Sequence, residues 1–95
     1  MIRLRIRDGA RSRDVELDAA RIVFGRLPEC DVRLESPGVS REHAELERTR
    51  AGWRLRDLGS RNGTLLNGDK IDDAPLAEGD TIALADDVGI EVLRL

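Results

Sequence analysis

Short segments in which apolar and charged residues alternate, each cut off by a turn signal, set the strongest limit on how this chain can fold. Ile2, Leu4 and Ile6 alternate with Arg3, Arg5 and Arg7, the period of a strand with one face buried. Residues 44–47 and 53–57 repeat the pattern. Residues 15–17, 32–34, 64–66, 70–71, 81–84 and 89–95 read as further strands, and Ile22, Val23 and Phe24 as an apolar β-forming run closed by Gly25. No window carries helical spacing between end caps. Roughly nine to eleven short strands separated by turns predict an all-β sandwich or barrel.

The punctuation adds detail. Asp8-Gly9 is a hairpin signal, and the polar run on to Arg13 predicts a connection longer than a two-residue turn. Pro28 blocks regular ladder pairing, so residues 25–31 form a loop. Residues 72–80, with Pro75 and Gly79 as breakers, read as loop, and Ala74, Leu76 and Ala77 leave a short turn of helix open. In the last segment Ile90 and Val92 share one face while Leu93 and Leu95 fall on the other. A bulge or burial on both faces would reconcile them.

At 95 residues the chain suffices for one core, so residues 1–95 are expected to form a single domain. Aromatic residues make up 2%, which leaves an aliphatic core with Phe24 and Trp53 as its large rings. Lysine plus arginine number 16 against 19 acids, a net −3, a poor match to general nucleic-acid binding through many phosphate contacts. The single Cys30 excludes an intrachain disulfide framework and a cysteine-rich zinc site. The alternating N-terminus lacks the apolar run of a signal peptide, and no stretch reaches the roughly 18 apolar residues of a membrane helix. A soluble, cytoplasmic chain without a membrane partner is expected. On that expectation the Asn62-Gly63-Thr64 sequon is incidental.

Residues 40–68 hold most of the candidate chemistry. Arg26, Arg41 and Arg61 offer guanidinium forks, Ser40 and Ser60 offer hydroxyls, and the glycines let backbone approach closely. Convergence of these groups would make an anion site. Taken singly, each arginine reads more readily as a solvated surface charge than as a ligand, and Glu29 and Glu42 would weaken a positive site. Ser40, His43 and Asp57 are the residue types of a nucleophile, base and orienter. The same Ser40–His43 spacing, however, suits a hydrogen bond that braces a loop, and no nucleophile elbow frames the serine. Glu29 and Asp31 beside Cys30 would raise its thiol pKa rather than activate it. No metal-ligand spacing is present. Asn62-Gly63 and Asn67-Gly68 are turn dipeptides.

In order, Gly25-Arg26, Ser40-Arg41-Glu42-His43, Asp57-Leu58-Gly59-Ser60-Arg61-Asn62-Gly63-Thr64 and Asn67-Gly68 resemble the motifs of the forkhead-associated (FHA) domain. The intervening residues 30–34 and 78–82 match the family's spacers. The resemblance implies an FHA-like β-sandwich of two twisted, mainly antiparallel sheets, about 11 short strands in all, with binding loops at one end. It implies a phosphothreonine-dependent module, not an enzyme and without a cofactor, that docks a partner phosphorylated by a Ser/Thr kinase and discriminates against phosphoserine. A monomer is expected. Carried over, Arg26 and Ser40 would contact the phosphate with Arg41 beside them. Arg61 would line the site from a variable position, and Asn62 would bond the peptide backbone. Gly25 and His43 would brace the loops, and Asp57, Gly59, Gly63 and Thr64 would be scaffold. The third residue after the phosphothreonine often sets preference in this family, and Arg61 would favour an acidic or polar one. The alternative is a phosphate-independent assembly domain of the same fold.

Overall fold

Eleven strands and no helix make up the chain in a computed structural model that describes residues 1–95. They are β1 (Ile2–Asp8), β2 (Arg11–Leu17), β3 (Arg21–Gly25), β4 (Val32–Arg33), β5 (Ala44–Thr49), β6 (Gly52–Asp57), β7 (Thr64–Leu66), β8 (Asp69–Ile71), β9 (Asp73–Pro75), β10 (Thr81–Ala85) and β11 (Val88–Arg94). One sheet has the order β2-β1-β11-β10-β7-β8 and the other β4-β3-β5-β6-β9. Every strand pair given a register is antiparallel except β3–β4.

Alternation in the sequence becomes the division between core and solvent. Ile2, Leu4 and Ile6 of β1 are buried while Arg3, Arg5 and Arg7 are exposed. With Ile82, Ile90 and Val92 they meet Ile22, Phe24, Leu46 and Leu55 from the facing sheet in one core cluster. Trp53 is half-buried at its margin. Glu45 departs from simple alternation: it is 5% exposed, and Arg21 donates to its Oε1 through Nε and Nη2. That pairing satisfies a carboxylate that burial alone would penalise.

Three details of the sequence reading are corrected or resolved. Asp8 pairs with Arg11, so Gly9-Ala10 is a tight two-residue turn, not a longer loop. The polar residues that suggested a loop belong to β2, an edge strand, where exposed charge guards an unpaired edge. Residues 73–75 are strand β9 paired with β6, not loop or helix; Pro75 is tolerated because β9 is also an edge. At the C-terminus, Leu4 faces Val92 and Arg3 faces Arg94, which makes Leu93 the extra residue of a bulge. The bulge shifts the side-chain phase by one position, and Leu95 returns to pack against the core.

Asn67-Gly68 closes the β7–β8 hairpin with φ 51° and 91°, the doubly left-handed turn that Asn-Gly favours. Residues 26–31, 34–43 and 58–63, which connect β3, β4, β5, β6 and β7, are joined to one another by hydrogen bonds and hold the candidate site.

Candidate functional site

The backbone of residues 24–27 and 40–43 forms the base of the site. Arg26 N–H donates to Ser40 O at 3.2 Å, Leu27 N–H to Arg41 O at 3.3 Å, and His43 N–H to Phe24 O at 2.8 Å. This close approach accounts for Gly25. A Cβ there would stand 2.0 Å from the Arg41 carbonyl oxygen and 2.9 Å from Cys30 Sγ, so any side chain would force the two loops apart.

His43 is fully buried, and both of its ring nitrogens have partners. Ser40 N–H donates to Nδ1 at 3.0 Å, and Nε2 lies 2.8 Å from Gly63 O. A carbonyl can only accept, so the proton belongs on Nε2 and Nδ1 is the acceptor. One imidazole thereby ties the β4–β5 loop to the β6–β7 loop. The Ser40 hydroxyl does not meet His43 at all; its oxygen accepts from Arg61 N–H at 3.0 Å. Asp57 does not orient the histidine either. The nucleophile–base–orienter arrangement is therefore absent from the geometry.

Asp57 instead organises its own loop. Its Oδ1 accepts from the hydroxyls of Ser60 (2.5 Å) and Thr64 (2.7 Å), and its Oδ2 from the N–H groups of Gly59 and Ser60, both at 3.0 Å. Burial pushes the Asp57 carboxyl up. The four donors outweigh it, led by the Ser60 and Thr64 hydroxyls, and hold the group below the usual carboxylate range. Ser60 Oγ also accepts from Gly63 N–H at 3.0 Å, so its hydroxyl is spent inside the loop. The possibility that Ser60 offers a donor to a ligand is corrected accordingly. Gly59 and Gly63 take φ of 74° and 83°, conformations that cost little only for glycine.

Around this scaffold Arg26, Arg41, Arg61 and Ser40 line one depression of about 650 Å³, with Glu42 also in its wall. All three arginines are exposed, and none is in an ion pair. Arg26 is steered by its Nε, which donates to Val39 O at 2.6 Å; its Nη1 and Nη2 make no bond within the chain. Ser40 keeps its O–H free, because only the oxygen's lone pair is used. Asn62 spans the two loops, Nδ2 donating to Gly38 O at 2.8 Å. That leaves one amide N–H and the amide oxygen for another partner. Three guanidiniums against one carboxylate give the depression a local positive balance despite the chain's overall −3.

The sequence reading missed a second layer. Arg33 Nε donates to Arg26 O at 3.0 Å, and Arg13 Nη2 from the opposite sheet donates to Arg33 O at 2.9 Å. Together they anchor the backbone that carries Arg26. Both arginines alternate with other residues on strands and look like solvated charges, so nothing in the sequence singles them out. Cys30 Sγ–H donates to Arg41 O at 3.3 Å. Burial pushes its thiol up, and Glu42, Glu29 and Asp31 add to the rise, a setting for an inert thiol rather than a nucleophile.

Comparison with known proteins agrees with this arrangement. Residues 22–85 match the family model of the FHA domain. The glycogen accumulation regulator GarA of Mycobacterium tuberculosis is 40% identical over 68 residues, a match covering 72% of this chain and 42% of that protein. The FHA domain of FhaA, solved in complex with the intracellular domain of Rv3910, superposes with a TM-score of 0.84 at 33% identity, covering 97% of this chain and 99% of that one. A domain solved in a structural and functional analysis of phosphothreonine-dependent FHA interactions gives a TM-score of 0.83 at 30% identity, covering 98% and 97%.

Proposed function

The chain belongs to the FHA domain family, and we propose that it is a non-catalytic reader of phosphothreonine, docking partners that a Ser/Thr kinase has modified. The observation that carries this reading is the convergence of Arg26, Arg41, Arg61 and the free Ser40 hydroxyl on one open depression. A phosphothreonine brings about −1.5 to −2 charge near neutral pH. Two or three guanidiniums and a hydroxyl replace its hydration shell through charge-assisted hydrogen bonds of roughly 1.5–3 kcal/mol each. Asn62 bonds the peptide backbone beside the phosphate with its remaining amide groups. After ordering costs, a short peptide on so open a surface binds near the micromolar scale, about −8 kcal/mol.

FhaA in its complex and GarA, a regulator by name, support a binding rather than a chemical role. The matched segment spans less than half of GarA, so the partner and any attached activity are part of the proposal. Residues 1–95 act as one module in it, and the module works in the cytoplasm alongside the kinase whose product it reads. No helix of the chain is long and apolar enough to cross a membrane.

The reading is tested by substituting the arginine and serine whose removal leaves the buried scaffold in place. Arg26→Ala and Ser40→Ala each weaken phosphothreonine-peptide binding at least ten-fold, measured by fluorescence anisotropy, while the circular dichroism spectrum stays folded. Equal binding by wild type and both variants, or binding that survives phosphatase treatment of the peptide, overturns the reading in favour of a phosphate-independent assembly role.

A further inference from the structure

A second depression of about 700 Å³ adjoins the first, sharing Pro37 and Gly38 with it and starting at Asn62. Its apolar surface comes from Leu65, Ala83 and Ala85, while the Leu84 side chain points into the core, and the β10–β11 turn adds Asp86 and Asp87 to its lining. Leu65, at 36%, is one of two exposed large hydrophobic residues in the chain. Asp87 Oδ1 accepts from the Ser36 hydroxyl at 2.7 Å, whereas Asp86 makes no side-chain hydrogen bond. Neither carboxylate is in an ion pair. Lys70 lies against Gly63 but pairs with neither aspartate.

Resting on the phosphothreonine reading, we propose that this groove selects a lysine or arginine in the partner peptide, on the side of the phosphothreonine that runs past Asn62. Two features commit the occupant. The groove continues directly from the phosphate depression across Gly38 and Asn62, so a peptide anchored by its phosphate and by the Asn62 amide is carried over it. The combination of apolar surface and acidic lining fits a long side chain whose methylene stem lies on aliphatic surface while its cationic head reaches a carboxylate. A glutamate there would meet Asp86 and Asp87 with like charge. The sequence suggests an acidic or polar neighbour read by Arg61; this groove offers the opposite preference from a different place, since Arg61 lines the phosphate depression and not the groove. The preferred partner is thus a phosphothreonine segment with a basic flank, and the domain reads charge of both signs within one short peptide.

The test uses the full chain and a phosphothreonine peptide library degenerate at each flanking position, followed by titration of the lysine, alanine and glutamate peptides at the position selected. Lysine binds about five- to ten-fold more tightly than glutamate at low salt, and the gap narrows as salt rises. In Asp86→Asn/Asp87→Asn the gap closes to less than two-fold while binding of the alanine peptide is unchanged. Selection of an acidic residue, no selection, or a lysine preference that persists in the double variant overturns the inference and leaves phosphothreonine reading intact. Failure of every phosphothreonine peptide to bind overturns both.

Discussion

Replacing His43 with alanine removes the group that holds the two binding loops together, and the structure sets the size of the effect. Gly63 is buried, so its carbonyl loses its imidazole partner without ready access to water, at about 1–3 kcal/mol. Ser40 is half-buried, and its N–H loses the bond to Nδ1 at a smaller cost, roughly 1 kcal/mol. The vacated ring of a fully buried side chain adds a cavity contribution. Together these give roughly 3–5 kcal/mol, a large share of the 5–15 kcal/mol that holds a typical domain folded. For a domain this small, each kcal/mol moves the thermal midpoint by about 4–8 °C. His43→Ala therefore lowers the midpoint in a calorimetric or circular dichroism melt by at least ~12 °C. His43→Asn, whose amide oxygen can stand near Nδ1 and still accept from Ser40 N–H, loses about half as much. Phosphopeptide affinity falls in His43→Ala at temperatures where the variant stays folded, because Ser40 is no longer pinned, and falls less in His43→Asn, which keeps that bond. A midpoint for His43→Ala within about 4 °C of wild type would refute the bracing role.

The same geometry gives two further expectations. Gly25→Ala places a methyl 2.0 Å from the Arg41 carbonyl oxygen; as with other overpacked sites it costs about 1–3 kcal/mol, seen as a lower urea midpoint, and it weakens phosphopeptide binding because Arg26 and Arg41 are pushed apart. For pH, the carboxyls of Asp57, Asp14 and Asp73 are all held low in the folded chain. Asp57 is held by hydroxyl and backbone donors that outweigh burial, Asp14 first by its hydrogen bond from Arg5, and Asp73 first by its bond from Arg54. A depressed folded pKa contributes stability that is present above the unfolded value, about 3.9, and is lost as pH falls through the folded value. Thermal midpoints are accordingly level above about pH 5 and fall progressively below pH 4. Asp57→Asn has a lower midpoint at neutral pH and a shallower acid decline; an unchanged decline would show that Asp57 is not a contributor.

The fold was legible because alternation is a direct readout of a two-sided sheet, and β1 shows it without exception. Where the reading slipped, a strand lacked one buried face. Edge strand β2 is mostly charged, and β9 holds only three residues ending in Pro75, so neither carries the pattern. The phase conflict at Leu93 could not be settled from sequence, since a bulge is defined by which partner residue goes unmatched across the ladder. In the site, the motif residues were visible as types but their commitments were not. Ser40 and Ser60 look alike in sequence, yet Asp57 and Gly63 consume the Ser60 hydroxyl while Ser40 retains its proton. Arg33 and Arg13 were invisible because they act through backbone carbonyls, which leave no trace in side-chain spacing.

Phosphothreonine recognition at Arg26, Ser40 and Arg41 is tested most directly by two-dimensional amide NMR of the ¹⁵N-labelled chain titrated with three peptides identical except for threonine, phosphoserine or phosphothreonine. With the phosphothreonine peptide, shifts concentrate at residues 26–27, 38–42 and 59–63 and saturate near micromolar concentration; the phosphoserine peptide produces weaker shifts at the same residues, and the threonine peptide none. Equal shifts with all three peptides, or phosphothreonine shifts confined to the outer faces of the sheets, would contradict it.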